Sequence, residues 1–370
     1  MACGAALAAC STVSPTPPVA AVPPLPPVSA APLSPAPAPE KPLALAPKPK
    51  DALRVHVIDV DSGACVLIEC PESSTSGPHA LLNDCGSNHA AAVRARVAGY
   101  LQGELHGYGP HSVDILVSHP DTDHYDLIAP LFAQDESLIG DVTLSGPVAD
   151  YELAPFREFA ARHPTSVALS PDRATPLAAC GAATPRVLVA AMAGPPNRRS
   201  AVLWLSYDEF LLLSPGDAEG DTEEQALRNM TKAGLDPSEK PLAATLLIAS
   251  HHGAVTAGSN SERWIDKAQP RFVLVSAGDP RTYGHPRCAV VARYLAALPQ
   301  ESPDHYVACP QHKGDSSHTV ATTGNIFSTH DCGDLVVTYT PAPRRVFAVK
   351  FDAKCDVRSG GPAIPPLPAS

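Results

Sequence analysis

The densest group of side chains that could bind metal ions lies at residues 119–124, which read HPDTDH. Four side chains of ligand type fall within this run: His119, Asp121, Asp123 and His124. The apolar run 113–117 before them predicts a buried strand, and a tight loop after a strand can direct several side chains at one point. Imidazole and carboxylate suit divalent zinc, manganese or iron. The alternative is a solvated acidic loop that happens to contain two histidines.

Further residues of ligand type follow other apolar runs. Asp84, Asp217 and the pair His251-His252 each come at the end of a segment with the composition of a strand. Because α/β folds place their sites where strands end, we expect these residues to converge with the first group. Two ions about 3.5–4 Å apart can share a hydroxide and polarise an ester or phosphoryl oxygen, and a bound ion lowers the pKa of water to near 7. The sequence therefore predicts a hydrolase that uses a metal-bound hydroxide.

The composition allows a sizeable core and argues against tight binding to nucleic-acid backbones. Hydrophobic residues make up 44% of the 370 residues. The formal net charge is −11 and no run of Lys or Arg occurs, whereas proteins that bind phosphate backbones usually present a basic surface. Binding to long nucleic acid stays open, and a small-molecule or nucleotide phosphoester is the expected partner. No stretch of about 18 uncharged apolar residues occurs, so no transmembrane helix is predicted.

Proline is concentrated at the start of the chain, where 14 of the 42 prolines fall within the first 50 residues. Residues 1–50 are therefore predicted to form a disordered Pro/Ala-rich tether. The residues around Cys10 resemble a bacterial lipobox, in which the cysteine is lipidated, but they lack the basic and long apolar regions of a signal peptide. Lipidation at Cys10 and a chance match both stay open. We expect a location in the bacterial cell envelope or periplasm, with the cytoplasm as the alternative, and membrane contact only through such an anchor.

Ten cysteines are more than a cytosolic enzyme usually needs. Eight of them lie after residue 50, an even number that suits disulfides in an oxidising compartment. No CxxC motif occurs, so a cysteine zinc site is not expected. The alternative is that several cysteines are small buried apolar residues. The first disulfide that we expect is Cys309–Cys332.

Short apolar strands alternate with helical segments over about 300 residues. Strands are predicted at 55–58, 65–68, 79–83, 113–117, 187–192, 202–205, 210–213, 245–249, 272–276, 336–339 and 346–349, with a hairpin between 202–205 and 210–213. Helices are predicted at 90–101 and 153–162, from about 221 to Gly234, and at 261–268 and 289–298. Asp221 and Glu224 form a possible capping box. We expect one metallo-hydrolase domain over 51–356 and a disordered tail over 357–370.

The order of these motifs resembles the metallo-β-lactamase fold superfamily, whose motif is His-x-His-x-Asp-His. Within it, the chain is similar to the hydrolase domain of bacterial DNA-uptake (competence) proteins, a subgroup with aspartate at the second motif position, as Asp121 is here. Segments 57–63, 82–86, 200–217, 250–253 and 283–286 resemble further motifs of that subgroup. The resemblance covers roughly residues 54–350. It implies a four-layer αββα sandwich and two divalent metal ions, zinc in the first place, with manganese or iron as alternatives.

The resemblance also implies a role for each residue. His119 and Asp121 would bind one ion. Asp123 and His124 would bind the other, together with His251 or His252. Asp217 would bridge both ions. Asp123 and His285 would be catalytic, with His285 facing the substrate or donating a proton; a structural role in a turn is the alternative for His285. Asp84 would orient a ligand, or else only cap a turn.

Three departures from the family pattern affect the expected site. Asp126-Leu127 replaces a glycine pair after the motif, and Asp61-Ser62-Gly63 replaces a Gly-Gln-Gly turn. Many members have a further ligand histidine between the motif and the bridging aspartate. The only candidate here is His163, which we interpret as a surface residue. One ion site is therefore expected to be weak or to depend on water.

These observations lead to one leading hypothesis and two alternatives. The leading hypothesis is metal-dependent hydrolysis of a phosphodiester or phosphate ester, which rests on the family resemblance and on the ability of paired ions to bind phosphoryl oxygens. The first alternative is an ester, lactone or β-lactam hydrolase of the same fold, although Asp121 departs from the histidine set usual in β-lactamases. The second is a non-catalytic envelope lipoprotein that uses the fold as a binding module.

Overall fold

The computed structural model describes residues 45–73, 77–165, 167–235, 242–298, 305–314, 318–321 and 324–351. They belong to one compact unit. Cys10, most of the predicted tether and the predicted tail lie outside the described residues, so lipidation and both terminal segments stay predictions. The side chains of Lys48 and Arg54 bind Cys70 and Ala46 carbonyl oxygens, so the chain from about residue 46 onward contacts the domain.

Sixteen strands and eight helices account for the regular structure of the described residues. The strands are β1 Leu53–Val57, β2 Cys65–Glu69, β3 Ala80–Cys85, β4 Val113–Val117, β5 Ile139–Leu144, β6 Thr175–Pro176, β7 Thr184–Val187, β8 Leu203–Tyr207, β9 Phe210–Ser214, β10 Leu246–Ile248, β11 Phe272–Val275, β12 Tyr306–Cys309, β13 His318–Ala321, β14 Ile326–Ser328, β15 Leu335–Thr340 and β16 Val346–Phe351. The helices are α1 Ala90–Glu104, α2 Ile128–Phe132, α3 Ala154–Arg162, α4 Gly220–Lys232, α5 Glu262–Ala268, α6 Pro280–Tyr283, α7 Cys288–Ala297 and α8 Thr329–Cys332.

Two seven-stranded sheets form the centre of the fold. The first sheet has the order β16-β15-β1-β2-β3-β4-β5 and the second has the order β14-β11-β10-β9-β8-β7-β6. Strands β3, β4 and β5 are parallel, as are β9, β10, β11 and β14. The carboxyl ends of parallel strands lie at one edge of a sheet. The loops after β4, β9 and β10 therefore each start from such an edge.

Successive side chains of a strand point to opposite faces of its sheet and form three apolar layers, one between the sheets and one on the outer face of each sheet. Leu212 of β9 packs between the sheets, whereas its neighbour Leu213 packs on the outer side against Met230 of α4 and Trp264 of α5. Likewise Leu116 of β4 faces the inner layer, and the residues on either side of it contact helices α1 to α3. The layer order is therefore helices, sheet, sheet, helices, and the predicted αββα sandwich is confirmed.

Two local predictions about elements are wrong. The strand predicted at 187–192 is wrong, because β7 ends at Val187. Beyond it, Leu188 donates to the Val202 carbonyl and the Val202 amide donates to Val189, which is not the pattern of a regular ladder. The predicted capping box is absent, since α4 begins at Gly220 without a side-chain cap. Asp221 pairs instead with Arg198. The predicted stop at Gly234, which has a φ of +66°, is confirmed.

Disulfides connect different elements of the fold. The described pairs are Cys65–Cys85, Cys70–Cys180 and Cys288–Cys309. The predicted pair Cys309–Cys332 is wrong, because the end of β12 lies beside the start of α7 and the Cα atoms of residues 288 and 309 are 5.0 Å apart. Cys332 is also disulfide-bonded. None of the described helices has the length and apolar character needed to span a membrane.

Candidate metal centre

The loop after β4 carries the HPDTDH run and is fixed by backbone contacts. Residues Thr122–His124 form a 3-10 turn. The carbonyl oxygen of Asp123 accepts a hydrogen bond from the Ala64 amide at 3.1 Å. Gly86 packs directly on the same turn, where a Cβ atom would lie 2.5 Å from the Asp123 carbonyl carbon. The turn of the first motif therefore depends on the loops after β1 and β3.

The loop after β9 carries Asp217 to the same place from the second sheet. Gly216 has a φ of +56°, and a Cβ there would lie 2.7 Å from the side chain of Ser118, which follows β4. The Asp217 amide donates to Ser200 Oγ at 3.1 Å. This close approach brings the ends of β4 and β9 together, so that Asp217, which is 5% exposed, faces the motif histidines.

The loop after β10 presents two neighbouring histidines to different oxygens of Asp217. His251 has φ/ψ of 50°/48° and His252 has 54°/23°, both in the left-handed region that costs non-glycine residues free energy. Their rings are 6.3 Å apart at 72° to each other. The His251 amide donates to the Gly216 carbonyl at 2.9 Å. The strained backbone therefore directs each ring to a different side of Asp217.

One side of Asp217 faces three other residues, and we call these four the first ligand set: His119, Asp121, His251 and Asp217 through Oδ2. His119 Nε2 lies 3.5 Å from Asp121 Oδ2 and 3.9 Å from Asp217 Oδ2. His251 Nε2 lies 3.5 Å from the same Asp217 oxygen. Ligand atoms bound at about 2.0–2.2 Å around one tetrahedral ion are about 3.3–3.6 Å apart. The two separations of 3.5 Å lie in this range, and the separation of 3.9 Å between His119 Nε2 and Asp217 Oδ2 is longer.

The other side of Asp217 forms the second ligand set: Asp123, His124, His252 and Asp217 through Oδ1. His124 Nε2 lies 3.1 Å from Asp217 Oδ1, and His252 Nε2 lies 3.4 Å from it. The two imidazole nitrogens are 3.4 Å apart, and Asp123 Oδ2 lies 3.8 Å from His252 Nε2. Ligand-type atoms of Asp123, His124 and His252 all lie within 4.8 Å of one another, which is close enough for them to share one ion. The two oxygens of Asp217 thus belong one to each set.

The charges and hydrogen bonds of the two sets fit bound cations. His119 is fully buried, yet its Nε2 has no hydrogen-bond partner among the described residues. Burial would raise the pKa of Asp217, but the charges of His252, His251 and His124 hold it well below its usual range. Burial would lower the pKa of His124, but Asp217 and Asp84 raise it well above the usual value. The electrostatic environment of Asp217 therefore favours positive charge beside it, and divalent ions would supply that charge.

Asp84 fixes the orientation of His124. Its carboxylate accepts hydrogen bonds from the Ser118 amide at 2.6 Å, from Ser118 Oγ at 2.7 Å and from His124 Nδ1 at 3.0 Å. With Nδ1 held in this way, His124 Nε2 faces Asp217, as in other carboxylate–histidine–metal arrangements. The geometry fits the predicted orienting role, which goes beyond capping a turn.

A cleft of about 140 Å³ opens over the two ligand sets. His285 and Tyr283 line it together with Asp121 and Asp123. Burial, together with the charges of His252 and His251, lowers the pKa of His285 to about 3, so its imidazole is neutral at pH 7. A neutral imidazole can donate one hydrogen bond to a substrate oxygen, whereas it is a poor proton donor.

Two asparagines that were not predicted from the sequence also line the cleft. Asn88 Nδ2 donates to Asp123 Oδ2 at 3.0 Å, and Asn197 Nδ2 lies 3.3 Å from His251 Nε2. Asn88 follows Asp84 by four residues, which could have drawn attention to it. His163 lies elsewhere, at the end of α3, where its Nε2 is 2.8 Å from Glu136 Oε1. It is partly buried and does not line the cleft.

Comparisons with known proteins agree with the resemblance stated from the motifs. No family model matches the chain. A stretch of 95 residues, 26% of this chain, is 30% identical to ComE operon protein 3 of Bacillus subtilis (strain 168). The match spans 11% of that relative, so the chain corresponds to about a tenth of its length. The predicted similarity to a competence protein is confirmed for this stretch.

Solved structures with a similar fold have low sequence identity. The metallo-β-lactamase fold protein YhfI from Bacillus subtilis is 18% identical, with a TM-score of 0.41, over 67% of this chain and 94% of that chain. The short form of human tRNase Z is 12% identical, with a TM-score of 0.35, over 60% of this chain and 92% of that chain. The fold assignment therefore rests on the layers of this chain itself.

Proposed function

We propose that the chain is a hydrolase that uses two divalent metal ions to cleave a phosphodiester or phosphate ester. One observation carries the proposal: buried Asp217 stands between two sets of imidazole and carboxylate groups, with one of its oxygens in each. A single carboxylate shared in this way is suited to hold two ions next to each other. The ions would be zinc, with manganese or iron as alternatives.

The chain's own residues would bind the ions, orient the ligands and receive the substrate. When bound, the ions would lower the pKa of a water molecule and polarise a phosphoryl oxygen. Asp84 keeps His124 turned toward Asp217, and Asn88 holds the Asp123 carboxylate in place. His285 would donate a hydrogen bond from its neutral ring to a substrate oxygen.

The charge of the cleft supports an anionic substrate only together with the ions. Four carboxylates, those of Asp121, Asp123, Asp217 and Asp279, line it, and no Lys or Arg does among the described residues. A phosphoester would be repelled by this cleft alone. Bound divalent ions would invert that field. The proposed activity therefore depends on metal at the step of substrate binding as well as at the chemical step.

Metal analysis and turnover of two chromogenic substrates test the proposal. We expect purified chain to contain close to two divalent ions and to hydrolyse bis-(p-nitrophenyl) phosphate. Hydrolysis of nitrocefin, but not of bis-(p-nitrophenyl) phosphate, would favour the alternative of an ester, lactone or β-lactam hydrolase. A metal-free chain that turns over neither substrate, even after divalent ions are added, would favour a binding module.

The variant Asp123→Ala tests the assigned site. We expect it to lose turnover of bis-(p-nitrophenyl) phosphate and to stay folded. Asp114→Ala is a matched control, because the Asp114 side chain is 19% exposed against 18% for Asp123 and also contacts a histidine, His79, outside the cleft. Retained turnover in Asp123→Ala would refute the role given to this residue.

We also propose a location in the cell envelope or periplasm, with the cytoplasm as the alternative. The disulfides support an oxidising compartment. Lipidation at Cys10 remains part of this proposal. Mass spectrometry of the chain from its native host tests both points, since it would show a diacylglycerol adduct on residue 10 and blocked thiols in the domain. Free thiols at residues 65, 85, 70 and 180 would argue for the cytoplasm.

A further inference from the structure

We propose that Asn197 supplies a neutral oxygen ligand to the ion of the first ligand set, so that manganese binds this set better, relative to zinc, than it binds the second set. The proposal rests on the proposed function only in requiring a divalent ion at His119, Asp121, His251 and Asp217. It does not depend on which bond the protein cleaves. It addresses the ligand histidine that the sequence lacks, for which His163 does not substitute.

The amide of Asn197 lies at ligand distance from the first set. Asn197 lines the cleft. Its Nδ2 is 3.3 Å from His251 Nε2, the same nitrogen that lies 3.5 Å from Asp217 Oδ2. This spacing equals that between the ligand atoms of one ion. The terminal atom of the Asn197 side chain therefore lies close enough to His251 Nε2 for both residues to bind one ion.

The orientation of this amide leaves atoms without partners. The nitrogen and oxygen of an asparagine amide are interchangeable in shape, and their assignment is inferred from hydrogen bonds. With Nδ2 toward His251, Oδ1 is buried and has no partner among the described residues, and neither has His251 Nδ1. A half-turn of the amide places Oδ1 beside His251 Nε2. A divalent ion would then accept electron pairs from both atoms, and neither would need a proton.

The loop that carries Asn197 is held in place by its neighbours. Asn197–Arg199 is a 3-10 turn that leads toward β8. Arg198 pairs with Asp221, and its carbonyl oxygen accepts from Thr222 Oγ1 at 2.8 Å. Arg199 pairs with Asp150. Both arginines therefore point to partners outside the ligand sets, and the turn presents the amide to the cleft without rearrangement of the loop.

The additional oxygen makes the two sets chemically different. The first set would offer two imidazole nitrogens and three oxygens, from Asp121, Asp217 and Asn197. The second set offers two nitrogens and two oxygens. Carboxylate and carbonyl oxygens and higher coordination numbers suit manganese, whereas four-coordinate nitrogen-rich sites suit zinc. We therefore expect manganese to bind the first set better, relative to zinc, than it binds the second.

Three chains separate an oxygen ligand from a mere hydrogen-bond donor: wild type, Asn197→Ala and Asn197→Asp. Each is stripped with a chelator, and binding of Mn²⁺ and Zn²⁺ is measured by calorimetry, with Mn²⁺ also followed by electron paramagnetic resonance. We expect Asn197→Ala to weaken Mn²⁺ binding at one of the two sites by about tenfold or more and to weaken Zn²⁺ binding less. We expect Asn197→Asp to bind Mn²⁺ at least as tightly as wild type, because it keeps the oxygen and adds charge.

Two results would overturn the proposal. If Asn197→Asp loses Mn²⁺ as strongly as Asn197→Ala, the residue acts through its N–H group on His251. If neither variant changes Mn²⁺ binding, the residue is no ligand. Asn88→Ala is the matched cleft control, because its amide contacts Asp123 of the second set and should leave the first set's ion unchanged. A wild type that binds two ions but cleaves no phosphoester would refute the proposed function and leave this metal proposal intact.

Discussion

The chain contains two groups of neighbouring histidine and carboxylate residues, one at the ends of the strands and one on the first sheet, and only the group at the strand ends has the character of a metal site. One group is the two ligand sets. The other, which we call the His56 cluster, consists of Arg54, His56, Glu69 and Glu104. Three members of the His56 cluster could also meet at one point, since ligand-type atoms of His56, Glu69 and Glu104 lie within 4.8 Å of one another. Proximity alone therefore does not separate the two groups.

Hydrogen bonding and charge separate them. In the His56 cluster, both ring nitrogens have partners, at 2.7 Å to the Tyr100 hydroxyl and at 2.8 Å to Glu69 Oε1. Arg54 lies 3.4 Å from Glu69 and 3.8 Å from Glu104. In the ligand sets, His119 Nε2 has no hydrogen-bond partner among the described residues, and no described Lys or Arg lines the cleft. The His56 cluster contains a permanent guanidinium cation, whereas the ligand sets contain histidines but no Lys or Arg.

The pKa of Glu69 shows the effect of this built-in cation. Burial would raise the pKa of Glu69, but the hydrogen bond and charge of His56 and the charges of Arg54 and Lys48 lower it. The charge of Glu69 is thus neutralised within the protein, whereas burial and the charge of Glu69 raise the pKa of Glu104. A cluster of acids and histidines indicates a metal site only when protein cations do not already neutralise it.

The largest effect is expected from removing the cation of the His56 cluster. Arg54→Met would leave Glu69, which is 4% exposed, with a weaker counter-charge, and breaking a buried ion pair costs about 3 kcal/mol. We expect urea denaturation to show a loss of that order. Metal content measured by mass spectrometry should not change. A variant that gains or loses a bound divalent ion would show that the two groups are not as distinct as proposed.

The next largest effect is expected from adding the missing cation to the ligand sets. At a hundred times Kd, a divalent ion that binds only the folded chain stabilises it by about 2.7 kcal/mol. We expect chelator-treated wild type to gain about this much when Zn²⁺ or Mn²⁺ is added, as measured by urea denaturation. Asp217→Ala should gain little, and Asp114→Ala should respond as wild type does. An equal gain in Asp217→Ala would place the ions elsewhere.

A smaller effect is expected from the residue that orients His124. Asp84 has a φ of +60°, which asparagine tolerates better than alanine, so Asp84→Asn is the informative change. The amide group has one acceptor oxygen, so it cannot accept from both the Ser118 amide, which binds Asp84 Oδ1, and His124 Nδ1, which binds Asp84 Oδ2. Losing such an orienting partner typically weakens metal affinity tenfold to a hundredfold, or about 1.4–2.7 kcal/mol. Calorimetry should show this weaker metal binding at the second ligand set. An unchanged Kd for the metal ion would mean that Asp84 only stabilises the turn.

The layers and the motif loops could be predicted because they follow from local patterns. Leu212 and Leu213 alternate between two apolar layers, and the continuous apolar run of β4 predicts a strand covered on both faces. His119 and Asp217 follow such strands directly. The sequence therefore placed these residues at sheet ends before the structure brought them together, although their role as ligands stays a proposal.

The remaining features depend on contacts between distant parts of the chain. The rings of His251 and His252 reach different oxygens of Asp217 because both residues adopt left-handed backbone angles, a conformation that the residue preferences of histidine do not predict. Asn197 approaches the first set only because its turn is held by Asp150 and Asp221. Cysteine spacing does not determine pairing, and the error at Cys309 reflects this. Such contacts are set by packing, which a single sequence does not show.

The smallest expected effect tests whether the ligand sets carry excess negative charge in the absence of metal. Asp126 accepts a hydrogen bond from the Ser87 amide at 2.9 Å. Burial, together with the charge of Asp123, raises the pKa of Asp126 from 3.8 to about 6. The carboxyl thus behaves opposite to Glu69, which has cations beside it. The variant Asp126→Asn keeps an oxygen for the Ser87 amide and removes the charge.

The sign of the pH dependence follows from the raised pKa of Asp126. Below pH 3.8 the carboxyl is neutral in the folded and the unfolded chain, so Asp126→Asn should match wild type. As the pH rises through about 6, folded wild type must carry a half-buried charge and loses stability relative to the variant. The full shift corresponds to about 3 kcal/mol, which solvent screening of this half-buried group reduces to about 1 kcal/mol. Urea denaturation of chelator-treated chains at pH 8 should show this advantage for Asp126→Asn, and divalent ions should reduce it, because their charge stabilises the ionised carboxyl. A variant that is no more stable than wild type at pH 8 would mean that the metal-free site already contains enough positive charge, and the contrast with the His56 cluster would then fail.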